Sequence, residues 1–147
     1  MKNQFSLSLI FIAFAFVLVG CTSTKVTPLT AKLSKDVCIE KNEKVIVQNF
    51  IEIVRNGFEE HGFRTSVYSG ATPANCTNIL TYTATRKWDL APYMTDAELW
   101  LRDNNGNRIG YAQYHLNGGG GLALNKWASP ESKMKPVIEE LLAAYPR

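Results

Sequence analysis

The sequence predicts an α+β domain. It would be a two-layer sandwich in which two helices cover one face of a largely antiparallel sheet of about five strands, in the order β-α-β-β-β-β-α. Three observations lead there. Val47, Phe50, Ile51, Val54 and Phe58 recur at helical offsets, and Met134, Val137, Ile138, Leu141 and Leu142 do so again near the C terminus. The chain between these segments alternates in short runs rich in Thr, Ile, Tyr and Val. Finally, Asn105-Gly106 separates two such runs, the strongest short-range hairpin signal.

Taken in order, Asp36–Glu40 (DVCIE) reads as a short strand. A helix is expected over Val45–His61, with Gly62 in the left-handed position just past its end. In Phe63–Tyr68, Phe63, Thr65 and Val67 share one face. Residues 69–75 (SGATPAN) are turn chemistry. Asn78–Trp88 is a longer strand, with Leu80, Tyr82 and Ala84 on one face. Asp89–Thr95, which contains Pro92, is expected to break the pattern. Asp96–Arg102 and Arg108–Leu116 form the hairpin. If Leu99 and Leu101 face the helices, Trp100 faces outward beside Tyr111 or its neighbours. A final helix within Ser129–Ala144 must accommodate Pro136, either by starting near Ser132 or by starting at Pro136 itself.

The N terminus carries an address. Met1-Lys2 precedes an apolar run from Leu7 to Val19, 13 residues where a membrane-spanning helix needs about 20. That length and a charged start mark a secretory signal. Leu18-Val19-Gly20-Cys21 resembles the lipobox of bacterial lipoproteins. The resemblance implies cleavage before Cys21, acylation of its thiol and amine, and, with Thr22 rather than aspartate next, an outer-membrane destination. The expected organisation is a signal peptide at 1–20, a lipidated Cys21 with a polar tether to residue 34, and one periplasm-facing domain at 35–147. Lys2 is the one charged residue in 1–20, so the mature chain keeps 15 Lys and Arg against 13 Asp and Glu. That balance argues against nucleic acid as a partner.

Once Cys21 carries lipid, Cys38 and Cys76 remain, in an oxidising compartment. A Cys38–Cys76 disulfide is the expected pairing, with two buried thiols as the alternative. Neither cysteine has ligand-spaced neighbours for a metal, and no cofactor motif stands out.

TYTATRKWDLAPYMTDAELWLRD, GYAQYHLNGGGGLALNKW and KMKPVIEELL, together with DVCIE and GFEEHGF, resemble a small family of proteobacterial envelope lipoproteins of uncharacterised function. The likeness spans the mature chain and implies an envelope role. It transfers no catalytic residue.

Two groups of residues are candidates for binding. Gly118, Gly119, Gly120 and Gly121 lack the Lys-Ser/Thr that a phosphate loop needs, so a close backbone approach or a hinge is the simpler reading. Trp88, Tyr93, Trp100 and Trp127, with Tyr111 or Tyr114, could line a groove for sugar or peptide, although tryptophans in so small a domain more often complete a core. His61 and His115, with Asp89, Asp96 and Glu98, form no recognisable acid–base set in sequence. The expected function is therefore a non-enzymatic adaptor for another envelope component, contacting it through Trp88–Tyr93 and Gly118–Trp127. A small-ligand or glycan-binding module is the alternative, and an envelope hydrolase a third.

Overall fold

The computed structural model describes residues 22–30, 33–121 and 123–147. The expected signal peptide at 1–20 and Cys21 lie outside the described residues. Six strands form one mixed sheet: β1 (Thr22–Thr27), β2 (Asp36–Glu40), β3 (Arg64–Tyr68), β4 (Asn78–Asp89), β5 (Ala91–Asp103) and β6 (Arg108–Leu116). Their order across the sheet is β1-β6-β5-β4-β2-β3. Two helices, α1 (Phe50–Glu60) and α2 (Pro130–Leu141), pack on one face. The α+β sandwich is as expected, with one strand more.

That extra strand corrects the tether. Thr22–Thr27 pairs antiparallel with β6 from Thr22↔Leu116 to Thr27↔Tyr111. Its polar alternation suits an edge strand with one solvated face, which in sequence looks like a linker. Leu29 then docks into the core, its N–H donating to Leu141 O at 2.9 Å. Among the described residues the fold therefore includes Thr22–Thr27 as well as the chain from Lys35 onward.

The sheet is also less antiparallel than expected. β2 runs parallel to both β3 and β4, because α1 carries the chain back between β2 and β3 as a crossover. Asn78 secures the entry to β4: its buried amide donates to Ser34 O and Asp36 O at 2.7 and 3.0 Å.

A third correction concerns Asp89–Thr95. It does not break the pattern. β4 and β5 form one long hairpin paired down to Asp89↔Ala91, with the reversal at Leu90. A register shift between Thr85 and Arg86 absorbs one residue. Pro92 is tolerated near the exposed tip, where a missing N–H costs little.

Inward positions read off the alternation. Leu80, Tyr82 and Ala84 of β4, Ala97, Leu99 and Leu101 of β5, and Ala112, Tyr114 and Leu116 of β6 are all buried. They meet Phe50, Val54 and Phe58 of α1 and Met134, Val137, Ile138 and Leu141 of α2. The helices approach so closely that a Cβ on Gly57 would sit 2.9 Å from Ile138 Cγ2.

α1 is shorter than its apolar stripe, because Asn49 takes a left-handed conformation and starts it at Phe50. α2 begins earlier than either expected start. Ser129 caps it by accepting from Ser132 N–H at 3.1 Å, and Pro130 takes the first helical position. Pro136 therefore lies inside the helix, on its exposed side, one backbone bond short, between the buried Met134 and Val137. The hairpin between β5 and β6 forms as expected. Asp103 Oδ1 accepts from Asn105 and Asn107 N–H at 2.9 and 2.8 Å.

Cys38 and Cys76 are joined, with Cα atoms 5.8 Å apart. The bridge ties the loop before β4 to β2. A sequence separation of 38 residues makes it worth about 4 kcal/mol by loop-closure entropy. Urea denaturation with and without reductant should show a stability loss of that order, with the far-ultraviolet spectrum retained below the transition.

Candidate functional site

The side chains singled out from sequence separate into two surfaces. Trp88, Tyr93, Gly118–Gly121 and Trp127 come together at one end of the sheet. Trp100 stands apart, on the face that no helix covers.

At the sheet end, the tip of the β4–β5 hairpin projects beside two short 3₁₀ turns, Asn117–Gly120 and Leu124–Trp127. Lys126 joins them. Its buried ammonium donates to Asp89 Oδ2 at 2.6 Å and to Gly121 O at 3.1 Å, and lies 4.3 Å from the centre of the Trp127 ring. Trp127 Nε1 donates to Asp89 O at 2.9 Å. This packing explains one glycine of the run, Gly120, while Gly118, Gly119 and Gly121 share its positive φ without a close neighbour. A Cβ on Gly120, whose φ is +80°, would meet Lys126 Cβ at 2.7 Å. Tyr93 belongs to the core.

A second buried lysine braces the same end from α2. Lys133 Nζ donates to Met94 O at 3.0 Å and Lys126 O at 2.6 Å, and burial pushes its pKa below the usual lysine range. Neither lysine was legible as a site residue. Each reads in sequence as a solvated charge, and only the fold brings carbonyls to it.

Trp88 differs from its neighbours at this end, being 74 % exposed. Leu90 at the turn is 81 % exposed and held at φ +59°. A left-handed leucine costs roughly 1 kcal/mol, where glycine or asparagine would cost less.

On the uncovered face, side chains line up across strands. Trp100 and Tyr111 are directly paired, with ring centres 6.0 Å apart. Tyr111 donates to Glu98 Oε1 at 2.8 Å, and burial, with that carboxylate, pushes its phenol up to about 12. Asp96 contacts His115 Nδ1 and accepts from Thr85 Oγ1 at 3.1 Å. Burial pushes the Asp96 carboxyl up, but bonds from His115, Thr95 and Thr85 outweigh it and hold the pKa below the ordinary value.

Ser23 is the cross-strand neighbour of His115, so a serine, a histidine and an aspartate share one row. The row does not form a relay: Ser23 Oγ donates to Asn117 Oδ1 at 3.3 Å. A hydrolytic set needs the serine bonded to the imidazole. His61, the other histidine, is buried behind α1 and contacts Tyr145 O. Asp89, bound to Lys126, converges on neither.

No family model and no curated protein matches the chain. Solved structures do. A PelC dodecamer from Paraburkholderia phytofirmans superposes with a TM-score of 0.55 at 15 % identity, over 85 % of this chain and 99 % of that one. A dodecamer of a PelC point variant from the same organism gives 0.52 at 14 %, over 79 % and 96 %. At this identity the likeness is one of fold.

Two measurements check these assignments. Gly120→Ala should cost about 1–3 kcal/mol of stability in a denaturant titration, whereas Trp88→Ala should change it by no more than about 0.5 kcal/mol. The second concerns acid. Since the folded Asp96 pKa is lowered, its contribution is present above the ordinary carboxylate value of 3.8 and is lost as pH falls through the folded value. His115→Gln removes one of the bonds that lower it, so acid unfolding should begin at higher pH in that variant.

Proposed function

We propose that the chain is an outer-membrane-anchored lipoprotein whose domain is a non-enzymatic binding module for another envelope component. The observation that carries this reading is Leu18-Val19-Gly20-Cys21 followed at once by Thr22, the first residue of β1. A lipid on Cys21 would hold the folded domain against its membrane with no spacer between them.

The partner surface in this reading is the uncovered face of β4, β5, β6 and β1. Its Trp100–Tyr111 pair and its carboxylates are already fixed by neighbours. A preorganised surface loses less side-chain entropy on binding. The contact therefore moves from the loops expected in sequence, whose Tyr93, Gly120 and Trp127 are occupied with packing, to the sheet. The PelC neighbours are dodecamers, so further copies of this chain are among the partners to look for.

A groove of about 500 Å³ favours a second reading, the glycan or small-ligand module. It lies where β2 stops and is lined by Glu40–Lys44 and Thr81–Thr83, whose charged and hydroxyl groups are set in a mainly apolar lining, a mixture that suits the hydroxyls and ring faces of a sugar.

Cross-linking and mass spectrometry in native envelopes distinguishes these readings. The wild type should give a specific partner linked through Lys25, which faces outward beside Gln113, and Cys21→Ala should lose it. No partner with either form, together with thermal stabilisation by cell-wall fragments, would transfer the function to the groove.

A further inference from the structure

Large apolar side chains are exposed mainly at one end of the domain: Ile46 at 63 %, Trp88 at 74 %, Leu90 at 81 % and Leu124 at 83 %. The topology places them together. β2 runs parallel to β4, so Ile46, which follows β2, lies at the end to which β4 delivers Trp88 and Leu90. Val47 and Gln48 share a cleft there with Arg86, Pro92 and Trp127. Leu124 opens the 3₁₀ turn whose Lys126 and Trp127 hold Asp89.

The chain enters the fold at this same end. Thr22 pairs with Leu116, and Ser23 donates to Asn117 at the start of the glycine turn. Cys21 is one peptide unit away, about 3.8 Å from Thr22 between Cα atoms. A bilayer holding a lipid on Cys21 would then meet this end of the domain before any other.

We propose that Ile46, Trp88, Leu90 and Leu124 form a membrane-contacting end, seated in the headgroup–acyl boundary of the bilayer that receives the Cys21 lipid. This rests on the lipoprotein reading. The chemistry of the tip fits the boundary: Trp88 offers an apolar ring with a polar N–H, and the leucines are purely apolar. Arg86 and Lys87 flank them, and the tip carboxylate, Asp89, is neutralised by Lys126. The exposed charge at the tip is therefore basic and suits anionic lipid. The left-handed Leu90 fits as well, since at that position leucine serves stability less well than glycine and its side chain gains by leaving water. Seated this way, the sheet stands away from the membrane with the Trp100–Tyr111 face open to the periplasm.

The test uses the full chain exported by a Gram-negative host. Intact mass first reports whether Cys21 carries lipid, with Cys21→Ser as the control. Lipidated protein is then placed in phosphatidylethanolamine–phosphatidylglycerol vesicles containing brominated acyl chains, and tryptophan quenching is compared between wild type and Trp88→Phe. The substituted position is exposed, so circular dichroism should be unchanged. Membrane contact predicts that Trp88→Phe removes roughly half or more of the quenching. In the Cys21→Ser form, Leu90→Ser with Leu124→Ser should weaken residual vesicle binding about ten-fold. Equal quenching in the two lipidated proteins would overturn the seating while leaving the anchor intact, as it would if a protein covered the tip. Absence of lipid on the wild type would overturn the anchor reading, and the seating with it.

Discussion

The antiparallel ladder between β4 and β5 is the element on which the rest is built. It runs from Asn78↔Asp103 to Asp89↔Ala91 through the middle of the sheet. Its inner side chains, Leu80, Tyr82, Leu99 and Leu101, are the floor on which α1 and α2 pack. Along its β5 edge the neighbour is β6, paired from Asp96 to Arg102, which in turn holds β1. On the other edge β2 covers only Asn78–Leu80, and Asn42 takes over by donating its amide to Tyr82 O at 2.9 Å. Beyond that point the hairpin continues without a sheet neighbour on the β4 side, and this is what lets its tip project.

A projecting hairpin loses packing and must be braced. The brace is ionic and local. Lys126 fixes Asp89 to the glycine turn, and Lys133 ties Met94 to the Lys126 backbone from below. Burying two ammonium groups is costly unless each is hydrogen-bonded, and both are. The consequence is a rigid base under an apolar tip, so the exposure of Trp88 and Leu90 is a property of the fold rather than of a loose loop.

The two proposed roles fall on different surfaces. One end of the sheet gathers the chain entry, the basic residues Arg86 and Lys87, and the exposed apolar side chains. The broad face carries the ordered aromatic and acidic rows. These surfaces meet at an angle set by the sheet, so a domain held by the first would present the second without needing a tether. The fold shared with PelC leaves this arrangement open, since similarity at that identity speaks to topology and not to the residues at either surface.

Sequence alone determined the elements whose signal is local. Periodicity located both helices, alternation located the inward faces of β4, β5 and β6, Asn105-Gly106 located the hairpin turn, and the pair left once Cys21 is set aside, Cys38 and Cys76, located the bridge. It also put Trp100 on the outward face once Leu99 and Leu101 faced the helices, and the register then paired it with Tyr111. What it left undecided depends on partners distant in the chain. Thr22–Thr27 is a strand only because β6 offers an edge, and Asp89–Thr95 continues a hairpin only because β4 and β5 twist together past Pro92. Lys126 and Lys133 are buried only because carbonyls from β5 and the glycine turn converge on them. Whether a tryptophan is core, clamp or surface is likewise invisible to spacing. Trp88 and Trp127 look alike in sequence, and only the tertiary structure, by bringing Asp89 to one and solvent to the other, separates them.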